Sequence, residues 1–79
     1  TEDAAMATTK VFLTFPQRLI KEPVLYELIK RFDVQTNIRG ASVTDEIALV
    51  ALHLDGETPA VEAAIAHLLN LGVQVERLD

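Results

Sequence analysis

Apolar and polar residues follow two different spacings along the chain, and these spacings predict its secondary structure. Apolar residues at every second position lie on one face of a strand, whereas a spacing of three and four residues places them on one face of a helix. Alternation, or a short run of β-favouring residues, predicts strands over residues 10–15, 33–43, 47–54 and 73–78. Helical spacing predicts helices over residues 23–32 and 59–71.

Both predicted helices carry residues that favour helix ends. Pro23 stands at a first helical position, and Pro59 does the same after Thr58, which is a good N-cap residue. Gly72 favours a left-handed stop after the second helix. The expected apolar stripes are Leu25, Leu28, Ile29 and Phe32 in the first helix, and Val61, Ala64, Ile65, Leu68 and Leu69 in the second.

The order strand, helix, strand, strand, helix, strand determines the fold class that we expect. Two right-handed crossovers and one hairpin arrange such elements as an α+β, ferredoxin-like βαββαβ two-layer sandwich. Its four-stranded antiparallel sheet would carry both helices on one face. The domain is expected to span residues 10–79. Residues 1–9 are small, polar and aperiodic, so we expect a disordered leader or a remnant of cloning there.

The third predicted strand is apolar on both of its faces, although His53 interrupts it. In a two-layer sandwich one face of this strand packs beneath the helices, and the other face stays uncovered. An uncovered apolar face predicts a homodimer, a neighbouring domain or a ligand that covers it. The residues that we expect at this interface are Phe12, Ile47, Leu49 and Ala51.

Length and composition narrow the class of protein. A chain of 79 residues forms one small core, and the absence of cysteine excludes disulfides, thiolate zinc sites, iron–sulfur clusters and cysteine nucleophiles. A partner surface is the remaining means of stabilising so small a domain. A net charge of −5 argues against nucleic acid as a partner, and no apolar run is long enough for membrane insertion. A cytoplasmic location is expected, because cysteine-free chains suit a reducing compartment.

The residues that could perform catalysis do not form a recognisable pattern. His53 and His67 are far apart and lack acidic or cysteine neighbours at metal-ligand spacing, and Ser42 has no nucleophile elbow around it. We therefore expect no enzyme activity, no metal and no cofactor.

Asn37 is the residue that most favours a binding role. It lies in the middle of a predicted strand, where asparagine is disfavoured, and shares the polar face with Gln35 and Arg39. An amide donates and accepts hydrogen bonds, and a guanidinium binds a carboxylate through two of them. This combination suits the backbone of an amino acid; the alternative is an ordinary solvated strand face.

The chain resembles a NIL domain, a branch of the ACT-like regulatory modules, over residues 10–78. The segments that carry the resemblance are VFLTFP at 11–16, EPVL at 22–25, FDV at 32–34, NI at 37–38, LHLDG at 52–56, AAI at 63–65 and GV at 72–73. The Asn-Ile-Leu that gives the family its name corresponds to Asn37, Ile38 and Arg39, with arginine in the place of leucine. These three residues are the ligand-binding site that the resemblance implies.

The resemblance also implies a function. Some NIL domains form the C-terminus of the ATPase subunits of methionine-import ABC transporters, where they pair, bind methionine and inhibit transport. Other NIL domains are fused to ferredoxins or occur as stand-alone proteins. The leading hypothesis is therefore a regulatory module that forms a homodimer and binds an amino-acid ligand such as methionine, beside a parent ATPase at the cytoplasmic face of a transporter. The alternative is a stand-alone module that pairs with itself or another protein partner without a small ligand. The separation of charge favours this alternative, because six of the seven basic residues lie in residues 10–39 and seven acidic residues follow.

Overall fold

Strands and helices follow one another in the order β-α-β-β-α-β. The structure, a computed structural model, describes residues 6–78. The strands are β1 (Met6–Pro16), β2 (Gln35–Val43), β3 (Ile47–Glu57) and β4 (Gln74–Arg77). The helices are α1 (Val24–Phe32) and α2 (Thr58–Leu71), and a 3₁₀ turn at Gln17–Leu19, which the sequence analysis did not anticipate, follows β1.

The strands form one antiparallel sheet in the order β2-β3-β1-β4. β3 pairs with both β1 and β2, and β4 pairs only with β1. Each helix therefore connects two parallel strands that are separated by one intervening strand, the arrangement of the ferredoxin-like sandwich. This confirms the fold class predicted from the order of elements.

The two central strands are longer than their sequence patterns indicate. β1 begins at Met6, so residues 6–9 belong to the sheet and not to a leader; the rest of the predicted leader, residues 1–5, lies outside the described residues. β3 continues through Asp55 and Gly56, beyond the predicted end at residue 54. The reason is mutual pairing: Thr8 faces Asp55 in the ladder, and its hydroxyl donates a 2.6 Å hydrogen bond to the Asp55 carboxylate.

The core lies between the helices and one face of the sheet. Val24 and Leu28 are the buried residues of α1, while Ile29, expected in its apolar stripe, is exposed. Leu69, expected in the apolar stripe of α2, is exposed as well. Each helix therefore packs against the sheet through a stripe that is narrower than its apolar pattern. The buried hydrophobic residues are Val11, Leu13, Phe15, Leu19, Val24, Leu28, Val34, Ala48, Val50, Leu52, Leu54, Val61, Ala64, Ile65, Leu68 and Val73.

Within residues 6–78, neither helix combines the length and the apolar character needed to cross a bilayer.

Gly72 ends α2 in the left-handed conformation that was predicted, with φ of 101°, and its N–H donates to the carbonyl groups of Leu68 and Leu69. We expect Gly72→Ala to lower the free energy of unfolding by about 1–2 kcal/mol, because a side chain strains this backbone conformation. Urea denaturation measures the change. Gly40→Ala is the matched control, because a Cβ at Gly40 meets no atom within 4 Å. Equal losses in the two variants would contradict this explanation.

Candidate functional site

The sheet face opposite the helices, here called the open face, carries an apolar patch. Side chains alternate along β3: Leu52 and its buried companions face the helices, whereas Ile47, Leu49 and Ala51 lie on the open face. Phe12 of β1 is the cross-strand partner of Ala51 and shares this face. The structure thus brings the four residues predicted for an interface to one side of the sheet. Ile47, at the hairpin end of β3, is 40% exposed, and the other three are half-buried.

A shallow depression of about 280 Å³ lies in the middle of this patch. Its lining residues are Phe12, Gly40, Ala41, Ser42, Leu49 and Ala51. Gly40 faces Ala51 across the β2–β3 ladder, and Ser42 faces Leu49. The missing side chain at Gly40 widens the depression, because nothing occupies the space where its Cβ would lie. The surface is therefore apolar and concave, and it can accept an apolar group from a ligand or a partner.

Asn37 lies on the open face beside this patch. Its cross-strand partner in β3 is His53, which pairs on its other side with Lys10 of β1. This row of amide, imidazole and ammonium groups is adjacent to the row that contains Ala51. An amide both donates and accepts hydrogen bonds, so a ligand seated on the patch would meet polar partners at its edge.

Ile38 and Arg39, the other residues of the predicted ligand site, are placed differently. Ile38 faces Leu52 and so points to the helix side of the sheet, where it is 55% exposed at the edge strand. Arg39 is the extra residue of a β-bulge between Ile38 and Gly40. A bulge interrupts the alternation of faces and redirects the side chains next to it. Asn37 and Ile38 lie on opposite faces, so the three residues of the motif do not form one cluster within the chain.

The histidines lie in different layers of the fold. His53 is in the sheet, while His67 is on α2, with its ring centroid 5.2 Å from that of Phe32. Among residues 6–78, no group of three or more histidine, cysteine, aspartate or glutamate side chains is arranged to hold a metal ion.

An ion pair ties α2 to the edge strand β4. The two terminal guanidinium nitrogens of Arg77, Nη2 and Nη1, donate to the Glu62 carboxylate at 2.7 and 3.0 Å. The hydrogen bond from Arg77 holds the pKa of Glu62 below its usual value; desolvation opposes this shift, and the charge of Arg77 adds a smaller lowering effect. The pair therefore stabilises the fold above the usual pKa of glutamate, and this stabilisation is lost as the pH falls. Both side chains are exposed, so salt screens the interaction.

A second concavity, on the helix layer, was missed by the sequence analysis. It measures about 420 Å³ and lies between α1, α2 and the 3₁₀ turn. Its charged and polar lining residues are Arg18, Glu22, Glu27, Arg31 and His67. The spacing of Glu27 and Arg31 at i and i+4 was a visible signal. Arg18 and His67 come from other elements, so only the packing of the helices brings them to the same cleft.

Comparisons with known proteins agree with this architecture. A family model described as the NIL domain matches residues 9–77 of the chain. Among solved structures, the chain is similar to the C-terminal domain of an ABC transporter / ATP-binding protein from Enterococcus faecalis, with a TM-score of 0.78 and 23% sequence identity, over 89% of this chain and 82% of that one. At this identity the likeness shows a common fold. A comparison with curated proteins found no match.

Proposed function

This chain belongs to the NIL domain family, and on that premise we propose that it is a non-catalytic regulatory module that pairs with a second copy and binds an amino acid such as methionine. The observation that carries the proposal is the open face. It places an apolar depression next to Asn37, the first residue of the family's motif, on a sheet surface that no element of the described chain covers.

Pairing through the open face would remove this apolar surface from water. Phe12, Leu49 and Ala51 are already half-buried by their neighbours in the sheet, so a flat partner could complete their burial with little reorganisation. Burial of apolar area contributes roughly 25 cal/mol per Å², and the face of a second copy is apolar in the same places. A self-complementary face favours a two-fold symmetric dimer.

The ligand would lie where the apolar patch meets the row formed by Asn37, His53 and Lys10. The depression accepts an aliphatic or thioether side chain, while the amide of Asn37 binds the polar backbone of the amino acid. In a two-fold dimer, Asn37 of one copy can face the patch of the other. Ile38 points to the helix side of the sheet and would take no part in such a site.

The cellular setting follows from the same membership. The structure from Enterococcus faecalis is described as the C-terminal domain of an ABC transporter ATP-binding protein. We infer that the present domain acts beside such an ATPase, at the cytoplasmic face of a transporter. A ligand that binds one arrangement of the paired domains more tightly than another shifts the equilibrium between them, and this shift would regulate the parent protein.

Replacement of Asn37 by alanine tests the ligand site. The measurement is a thermal-shift screen of the amino acids, with methionine titrated. An amino acid that binds is expected to stabilise the unmodified protein by about 2.7 kcal/mol at a concentration of 100 times its dissociation constant. Asn37→Ala is expected to diminish this shift without lowering the melting temperature of the free protein. Gln35→Ala is the matched control, because Gln35 carries an amide on the same strand, opposite Asp55. An undiminished shift in Asn37→Ala would rule out the site.

A pairing module without a small ligand is the second candidate function. The placement of Ile38 and the arginine at position 39 favour it, because both depart from a compact ligand site. It predicts a dimer in the absence of any metabolite and a flat thermal-shift screen. Analytical ultracentrifugation of the free protein, together with that screen, separates the two candidates.

A further inference from the structure

The cleft on the helix layer, lined by residues of α1, α2 and the 3₁₀ turn, has the size of a small-molecule site. Its volume of about 420 Å³ falls within the range of roughly 300–1,000 Å³ that is typical of ligand pockets. Buried Leu19 and Val24 and half-buried Leu71 provide an apolar floor. The cleft is on the opposite side of the sheet from the open face, so pairing through the open face would leave it accessible.

The charged residues around this floor balance one another. Arg18 and Arg31 supply two guanidinium groups, and Glu22 and Glu27 supply two carboxylates. A simple anion would be attracted by the arginines and repelled by the glutamates. A zwitterion satisfies both, because a guanidinium binds its carboxylate and a glutamate binds its ammonium group. An apolar floor between such groups suits a short aliphatic side chain.

Each cationic side chain of the cleft makes a contact that limits its freedom. The Arg18 guanidinium donates a hydrogen bond to the carbonyl of Leu71 at the end of α2, and other N–H groups of the same side chain remain for a ligand. On the far side, the guanidinium of Arg31 lies 5.6 Å from the centroid of the Phe32 ring. The same ring contacts His67. Side chains ordered in this way lose less entropy when they bind.

From this arrangement we propose that the cleft between the helices binds a free aliphatic amino acid, at a site separate from the open face. The proposal rests on the ligand class of the proposed function and adds a second site, formed by different residues. The carboxylate of the amino acid pairs with Arg18 and Arg31, its ammonium group pairs with Glu27 or Glu22, and its side chain lies on Leu19 and Val24.

Amide chemical shifts locate the site directly. We would titrate the ¹⁵N-labelled protein with alanine, valine, leucine, isoleucine and methionine. At least one of them is expected to shift the amide resonances of residues 17–27 and 67–72. In the Asn37→Ala variant, the same amino acid is expected to leave the resonances of β2 unchanged. Leucinamide and N-acetylleucine, which each lack one charge, are expected to produce no saturable shift there. A flat response at residues 17–27 and 67–72 with all five amino acids overturns the proposal.

Substitutions in the cleft separate this proposal from the open-face site. Arg31→Gln and Glu27→Gln are each expected to weaken binding about tenfold or more, the usual effect of losing a charge-assisted hydrogen bond. The matched controls are Lys30→Gln, whose ammonium lies by the Tyr26 ring, and Glu46→Gln in the β2–β3 turn; neither residue lines the cleft. Binding that is lost in Asn37→Ala but unchanged in both cleft variants would overturn the cleft site and support the open face.

Discussion

Leu52→Ala is expected to lower the free energy of unfolding by about 2–5 kcal/mol, the usual cost of deleting a fully buried leucine side chain. Leu52 is 1% exposed and lies in β3, between the two strands that pair with it. The cavity left behind cannot collapse easily, because both neighbouring strands hold the backbone of β3 in place. A small domain has only about 5–15 kcal/mol of stability in total, so the loss would be a large part of it.

Thermal and urea denaturation at a fixed protein concentration measure this loss, which corresponds to a fall in melting temperature of at least about 8 °C. Leu49→Ala is the matched control, because Leu49 lies in the same strand but on the open face. In the monomer it is expected to have the smaller effect. If Leu49→Ala destabilised a dilute, monomeric sample as much as Leu52→Ala, the assignment of the two faces would be wrong.

Leu49→Asp is expected to convert a paired protein into a monomer. The proposed pairing buries the centre of the open face, and an unpaired carboxylate there would lose its hydration without gaining a partner. The dissociation constant should rise by at least about 100-fold, since removal of a buried anchor and burial of a charge each cost several kcal/mol. Sedimentation velocity over a range of concentrations measures the change.

Leu69→Asp provides the control for this experiment, because it makes the same substitution at an exposed position of α2. It should leave pairing unchanged. Ser42→Lys guards against a folding defect: Ser42 is exposed and lines the same depression, so a long charged side chain there obstructs the face without disturbing the core. If Leu49→Asp and Ser42→Lys both stayed folded and paired, a dimer through the open face would be excluded.

The sequence alone determined the order of elements and the fold class. Apolar spacings of two residues in strands and of three to four residues in helices are local properties of the chain. Residues that end a helix, such as Gly72, also act within one turn, so the structure agrees with both kinds of prediction. The two-sided apolar character of β3 was equally visible, because an uncovered sheet face follows from the topology once both helices lie on one side.

Tertiary structure alone decided the lengths of β1 and β3, the bulge at Arg39 and the cleft between the helices. Strand length depends on partners far away in the chain: Asp55 and Gly56 favour a turn locally, but pairing with β1 keeps them in the sheet. The bulge shifts the register after Ile38, so that Gly40 and not Arg39 lies opposite Ala51. The cleft joins Arg18, Arg31 and His67 from three elements. No local sequence pattern predicts that these residues lie in one cleft, because their proximity depends on how the helices pack against one another on the sheet.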